Sequence, residues 1–359
     1  MQRSNSLSSK KIAPQMISRV NKQYQKHNCV DFQRFNNNIW KGVVAASQDN
    51  MDEKLRLWSL YALVGFLCGI AAFIIDILVD HLVHWKWSIA QMLIEYDSLA
   101  AAIATFVAFS CLFGGVAALL TVFLGPGAVG SGTTELMAYL NGINYPKFFG
   151  YRTLFVKIFA LCLAVSAGLC VGKEGPLAHI GAIIGHVVVY LPFKDLKRFH
   201  NAVDKREIAC AGAAAGVSAA FGAPIGGSLF IYEVSRPSTF WSFNLTWKIF
   251  FSSSIATFVL NFLVAIKSGE TLHITNAGLI KFGSYIQVPY ELKDFPFFAI
   301  LGICGGLLGS FFNFINYEVN VLRRVYLNTA WKKVLETLFM TALTAFLISI
   351  APLITRQSC

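Results

Sequence analysis

Lys173 and Glu174 are adjacent charges in GLCVGKEG (Gly168–Gly175), a stretch otherwise fit for a membrane interior. IFALCLAVSAGLCVG leads into the pair and GPLAHIGAIIGHVVVYLPF follows it. A charge at membrane depth is costly and marks a functional site by default. Gly175 and Pro176 come next, and proline is favoured in the first turn of a helix. Glu174 is therefore expected at a helix start, where backbone N–H groups attract anions. The chemistry this predicts is competition: a tethered carboxylate fills a place that a free anion would otherwise occupy.

Two further stretches carry polar groups at breaks in apolar sequence. GSG at Gly130–Gly132 puts Ser131 ahead of a short helix expected over Thr133–Leu140. A serine hydroxyl there can cap that helix or donate to an anion. GAAAGVSAAFGAP followed by FIYEVSRP places Glu233 at the inner end of an apolar segment, as an interfacial carboxylate. Other patterns fail on context. GPGAVG at Gly125–Gly130 has the GxGxxG spacing, but a long apolar helix precedes it and no acid follows at Tyr145–Tyr151. VGKE at Val171–Glu174 has Glu174 where a phosphate loop needs Ser or Thr. His81 and His84 share a helix face near Asp80, which reads as the polar rim of a membrane helix and not a metal site. His179 and His186 follow Glu174 in one helix and read as core or cavity-lining groups. No Ser/His/Asp or paired-carboxylate pattern lies in a soluble segment, so an enzyme is not expected.

The elements that position these residues are membrane helices. The chain is 55% hydrophobic and 14% charged. Uncharged runs include Ser98–Thr134, Gly175–Phe193, Ile208–Tyr232, Ile249–Ile266, Phe295–Tyr317 and Thr337–Thr355. Each is near or above the roughly 20 residues that cross a bilayer. The first membrane segment is expected from Lys54 to about His84, and the second over Ser98–Leu124. Tyr151–Cys170 and Gly175–Leu191 form a pair broken at Glu174. Asp204–Phe221 and Ala223–Glu233 form another, broken at Gly222–Pro224, and Trp241–Ile266 follows. Short apolar pieces interrupted by Gly and Pro are how transporters bring helix ends to the midplane.

The net charge of +11 sits largely outside these runs. Residues 1–52 carry Lys10, Lys11, Arg19, Lys22, Lys26, Arg34 and Lys41, in a composition that suggests disorder. No short apolar region of a secretory signal follows the start. The positive-inside tendency puts this tail in the cytoplasm. Basic segments beside membrane helices account for the charge, so nucleic acid is not an expected partner. The cysteines form no CxxC pair and read as free thiols, with neither metal nor disulfide.

Tyr61–Asp76 (YALVGFLCGIAAFIID) aligns without a gap on Phe298–Asn313 (FAILGICGGLLGSFFN), with Gly65 on Gly302 and Gly69 on Gly306. The expected organisation is a tail at 1–52, a first transmembrane repeat at 53–267, a loop at 268–294 and the opening helices of a second repeat at 295–359.

GSGTTE (Gly130–Glu135), GKEGP (Gly172–Pro176) and AGAAAGVSAAFGAPIGG (Ala211–Gly227), in this order, resemble the CLC family of chloride channels and chloride–proton exchangers. FWSFNLTWKIFFSSSIATFVLNF (Phe240–Phe262) looks like its endosomal–lysosomal branch. The resemblance runs from about Glu53 to Cys359. It implies an all-α, polytopic, broken-helix fold in a multi-pass membrane protein, in an endosomal, lysosomal or other intracellular membrane. It implies chloride as the transported ion, no cofactor, and voltage-gated permeation with Glu174 as the gate. Ser131 then contacts the anion and favours chloride, with Gly130, Gly132, Gly172, Lys173, Gly175 and Pro176 around the site. The implied partners are the bilayer and either a second copy or a full-length subunit.

Three departures qualify this. Thr133 and Thr134 replace the Ile-Pro of the family's GSGIPE, which is expected to loosen the helix start. Val234 stands where exchangers carry a second, proton-accepting glutamate after Glu233, which leaves only Glu233 for a proton path and resembles the channel members. The family's second half, with its other anion motif, pore tyrosine and cytoplasmic nucleotide-binding pair, is expected beyond Cys359. The alternatives to a channel are a chloride–proton antiporter and a non-conducting truncated subunit.

Overall fold

The structure is a computed structural model and describes residues 28–29, 51–96, 98–145, 147–192, 199–235, 240–269, 291–327 and 329–355. Most of the tail and most of the loop at 268–294 lie outside the described residues. The long elements are α1 (Met51–Glu95) and α2 (Leu99–Leu119), which ends in a π turn at Leu120–Leu124. They are joined by α8 (Phe243–Ser268), α9 (Phe295–Tyr326) and α10 (Ala330–Thr355). These five are long and apolar enough to cross a membrane. Between them come α3 (Thr133–Leu140), α4 (Tyr151–Ser166), α5 (Glu174–Val188), α6 (Ala202–Phe221) and α7 (Pro224–Ser235). At 1.5 Å per residue α3, α5 and α7 are about 12, 22 and 18 Å long, less than a bilayer core of about 30 Å. None of the three can cross a bilayer core alone. Two short strands, β1 (Asn28–Cys29) and β2 (Ile143–Asn144), pair antiparallel.

Local chemistry sets most boundaries. Asn201 caps α6 by accepting from the Asp204 N–H at 2.7 Å, and Ser242 caps α8 by accepting from Leu245 at 3.2 Å. Gly222, at φ 67°, ends α6 in the left-handed conformation, and Pro224 then opens α7. The expected ends needed two corrections. The first membrane helix runs on to Glu95, not His84, because no Gly or Pro interrupts residues 70–98. The helix before the Glu174 break stops at Ser166, not Cys170, because Gly168 takes φ 85°.

The core is built on α5 against α6. Fourteen residues of α6 are buried, Ala209 and Ala211 to Ala215 among them. The two helices approach until backbones touch: a Cβ on Gly212 would strike the Gly181 carbonyl, and one on Gly181 would strike that of Gly212. This is small-residue packing in which dispersion contacts replace the absent hydrophobic drive between membrane helices. α1 lies across α8 in the same way, Gly65 and Gly69 facing the carbonyls of Ser252 and Ala256. The aligned Gly302 and Gly306 on α9 have nothing within 4 Å among the described residues. α10 returns to the bundle through Thr341, which faces Gly114 of α2.

The Gly181–Gly212 contact yields a stability prediction. Because the obstructing atoms are backbone, Gly212→Val should cost at least about 3 kcal/mol. A fall in the thermal denaturation midpoint in detergent reports it, and an unchanged midpoint would contradict the packing.

Candidate anion site

The region around Ser131 begins with two left-handed glycines, Gly130 at φ 72° and Gly132 at φ 82°. They turn the chain sharply from the end of α2 into α3. Gly132 is the residue before α3 and lies on His179, whose Nδ1 occupies the space a Cβ there would need. His179 is fully buried, stacks on Phe148 at 4.0 Å and 12°, and places Nε2 3.3 Å from the Phe148 carbonyl. Its expected core role follows: it is the floor on which the glycine turn rests. His186 stacks on Phe149 at 4.5 Å, one layer along α5.

Ser131 sits above the first turn of α3. Its Oγ lies 2.9 Å from Thr133 Oγ1 and accepts from the Thr133 N–H at 3.4 Å. The replacement of Ile-Pro by Thr133 and Thr134 was expected to loosen this helix start. In the structure α3 begins at Thr133 as a regular helix, and the threonine supplies a hydroxyl partner to Ser131. Thr134 donates to Glu135 at 2.9 Å, keeping that carboxylate near the first turn, where the helix dipole favours it.

The second break starts at Gly168. Lys173 is the residue before α5, and Glu174, Gly175 and Pro176 form its first turn. The Glu174 carboxylate folds back over Gly172, taking the space a side chain there would occupy. Gly175 packs directly on Ser131: a Cβ built on it would be 2.7 Å from Ser131 Cβ and 3.7 Å from Oγ. The N-terminal ends of α3 and α5 thus meet, with Ser131 against the residue after Glu174. Gly130 and Gly132 flank Ser131 on one side of that contact, and Gly172 and Pro176 lie close in sequence to Glu174 and Gly175 on the other. Lys173 turns away from it, its Nζ 3.4 Å from Asp76 Oδ1 of α1. Glu233 ends elsewhere, exposed near the C-terminal end of α7, while its neighbour Val234 is only 7% exposed.

Lys157 was not singled out from the sequence. It is 3% exposed, on α4, and donates to the carbonyls of Ala128 at 3.0 Å and Gly130 at 2.6 Å. Freed carbonyls in a non-helical segment must be satisfied internally at membrane depth, and this ammonium satisfies two of them. The signal was in the sequence: a lone lysine in RTLFVKIFALCL is as anomalous as Lys173 in GLCVGKEG. Two helix N-termini converge at Ser131. The Lys157 ammonium is taken up by two carbonyls, Glu135 is held in the first turn of α3 by Thr134, and Glu174 supplies a negative group on a flexible stem. Such a place suits a monovalent anion in competition with the carboxylate.

Five helices long and apolar enough to cross a membrane, with shorter broken helices between them, define a multi-pass membrane protein. The sequence model of the family described as "Voltage gated chloride channel" matches residues 113–358, and the chain belongs to this CLC family. It is 36% identical over 305 residues to the "H(+)/Cl(-) exchange transporter 7" of Mus musculus, covering 81% of this chain and 38% of that protein. It is 33% identical over 334 residues to "Chloride channel protein A" of Dictyostelium discoideum, covering 90% of this chain and 38% of the relative. The chain thus spans well under half the length of these relatives. Two solved structures share the fold, each at TM-score 0.65 over 82% of this chain. One is a slow cyanobacterial Cl-/H+ antiporter, 23% identical with 65% of its chain covered; the other is a eukaryotic CLC transporter, 24% identical with 50% covered.

Lys157 carries the prediction here. Lys157→Met leaves two buried carbonyls without a donor and should destabilise the protein by about 3 kcal/mol. Lys157→Arg, which keeps a donor and the charge, should retain much of that. Denaturation midpoints of both variants in detergent decide it, and equal stability of Lys157→Met and wild type would refute the assignment.

Proposed function

We propose that the protein carrying this chain conducts chloride across a membrane, with Glu174 as the gate and Ser131 as an anion contact. The carrying observation is the contact of Ser131 with Gly175, which joins two helix N-termini beside a carboxylate on a flexible stem. Gly130, Gly132, Gly172, Gly175 and Pro176 frame the route, while Lys173 contributes only its backbone at the start of α5, its side chain pairing with Asp76. Family membership and the printed names of the relatives support chloride as the ion. Helix ends solvate an anion without a full positive charge facing it, so binding stays weak enough for exit. The protein works as a homodimer or beside a longer subunit, and in an intracellular membrane.

Removing the tethered carboxylate should leave the anion place open. In vesicles containing the protein, Glu174→Ala should raise chloride flux at neutral pH by about tenfold, as for loss of a blocking contact near 1.4 kcal/mol. Wild-type flux should rise as pH falls, because protonation neutralises the competitor. Glu174→Ala and Glu174→Gln should both lose that dependence. If both variants keep wild-type pH dependence, Glu174 is not the gate.

A proton path needs a titratable group at its inner end. Val234 has none and holds the buried position, whereas Glu233 is exposed. The flow is therefore uncoupled. Exchange is the second reading, favoured by relatives whose names and titles describe H+/Cl- exchange. An outward chloride gradient across vesicles holding a pH-sensitive dye separates the two. No proton uptake beyond leak is expected, and proton movement against its own gradient would establish exchange and overturn the channel reading.

A further inference from the structure

Lys86 is a second buried cation, and nothing in the proposed anion route uses it. It lies on α1 and is 3% exposed. Its Nζ donates to the Ser166 carbonyl at 2.7 Å and to Ser110 Oγ of α2 at 3.4 Å. It also sits 4.3 Å from the centroid of the Phe106 ring. No carboxylate is recorded against this ammonium among the described residues; its partners are a carbonyl, a hydroxyl and an aromatic face. An ammonium in such surroundings is disfavoured unless its hydrogen bonds are strong and fixed.

What it holds is specific. Ser166 is the last residue of α4, and the last carbonyls of a helix carry its negative dipole end without intrahelical partners. A lysine donating there is a charge-assisted cap. Two residues on, Gly168 turns left-handed, and its Cα face lies toward Lys86: a Cβ there would be 3.7 Å from Nζ and from Ile348 of α10. From Gly168 the chain runs through Cys170 and Gly172 to Glu174 with few anchors of its own. Its backbone bonds are Gly168 N–H to Val165 at 3.0 Å and Val171 N–H to Leu169 at 2.7 Å, until the Lys173 carbonyl accepts from Leu177 at 3.0 Å in the first turn of α5. The take-off point of the segment that carries Glu174 is thus set by an α1 side chain.

We propose that Lys86 is a positioning residue for the Glu174 gate: its ammonium fixes the C-terminal end of α4 and with it the origin of the loop that presents Glu174. This rests on the reading of Glu174 as a gate. Two measurements test it, one independent of that reading. The first is hydrogen exchange at Ala167 and Gly168, whose N–H groups bond to Leu163 and Val165 at 2.8 and 3.0 Å. Lys86→Met should speed both by about tenfold, the scale of one lost charge-assisted bond. Lys86→Arg should stay near wild type. Amides of Ala213–Ala215 in the α5–α6 core should not change, which reports that the fold is intact.

The second is a double-mutant comparison of chloride flux in vesicles. Lys86→Met should change the pH profile of flux when Glu174 is present and add nothing in the Glu174→Ala background. Unchanged exchange at Ala167 and Gly168 overturns the anchor. Faster exchange with a flux effect that persists in full without Glu174 overturns action through the gate. A pH profile insensitive to Glu174→Ala itself fails the gate reading, and the exchange result still judges the anchor. Should Lys86→Met not fold, Ser110→Ala removes one partner of the ammonium. It should speed the same two amides by about threefold, and no change there overturns the proposal.

Discussion

A chain that leaves helical geometry inside a membrane exposes carbonyls and N–H groups that no water can satisfy. Everything about this site follows from how that demand is met. At the break before α3 the donor is the Lys157 ammonium, which reaches back to Ala128 and Gly130. At the break before α5 the last carbonyl of α4 is met by Lys86. Elsewhere a buried lysine would be a liability, but here each one makes a local interruption tolerable. The interruptions are what allow two helix starts to face each other.

Backbone contact is the second requirement. α5 can bring its N-terminus to Ser131 only if its body lies close on α6, and the Gly181–Gly212 approach permits that. The glycine turn at Gly130–Gly132 is shaped from below by the flat ring of His179, itself locked on Phe148. The helix that carries Glu174 therefore also carries the support for Ser131. The geometry of the pair is fixed by one rigid element and not by two loops adjusting separately.

Much of this was legible in the sequence, and unevenly so. Thr133–Leu140 was readable to the residue because Gly-Ser-Gly precedes it and Asn-Gly follows. The start of α5 was legible because a charge pair followed by Gly-Pro has few other uses in an apolar run. The end of α1 was not: hydropathy falls after His84, but a helix stops only where its backbone is broken, and no breaker occurs there. The buried lysines show a different limit. Lys86 and Lys157 stand out by the same rule that picked out Lys173, yet their partners are carbonyls far away in sequence. Only the tertiary arrangement shows which backbone each ammonium serves. The pairing of Thr133 with Ser131 was likewise hidden: a hydroxyl stands there in place of an apolar family residue, and only the folded turn shows what it meets.

α4 has a part in both breaks. Near its middle Lys157 grips the turn before α3, and at its far end Ser166 and Gly168 launch the segment leading to Glu174. Nine residues of uninterrupted helix, about 13 Å by the rise per residue, lead from Lys157 to Ser166. The helix is thus a strut with a fixture at either station. Two backbone segments bolted to one strut cannot drift apart unless the strut bends, and α4 has neither proline nor glycine to bend at. A change of state at this junction must then be executed by a side chain swinging about its own bonds while the main chain stands still.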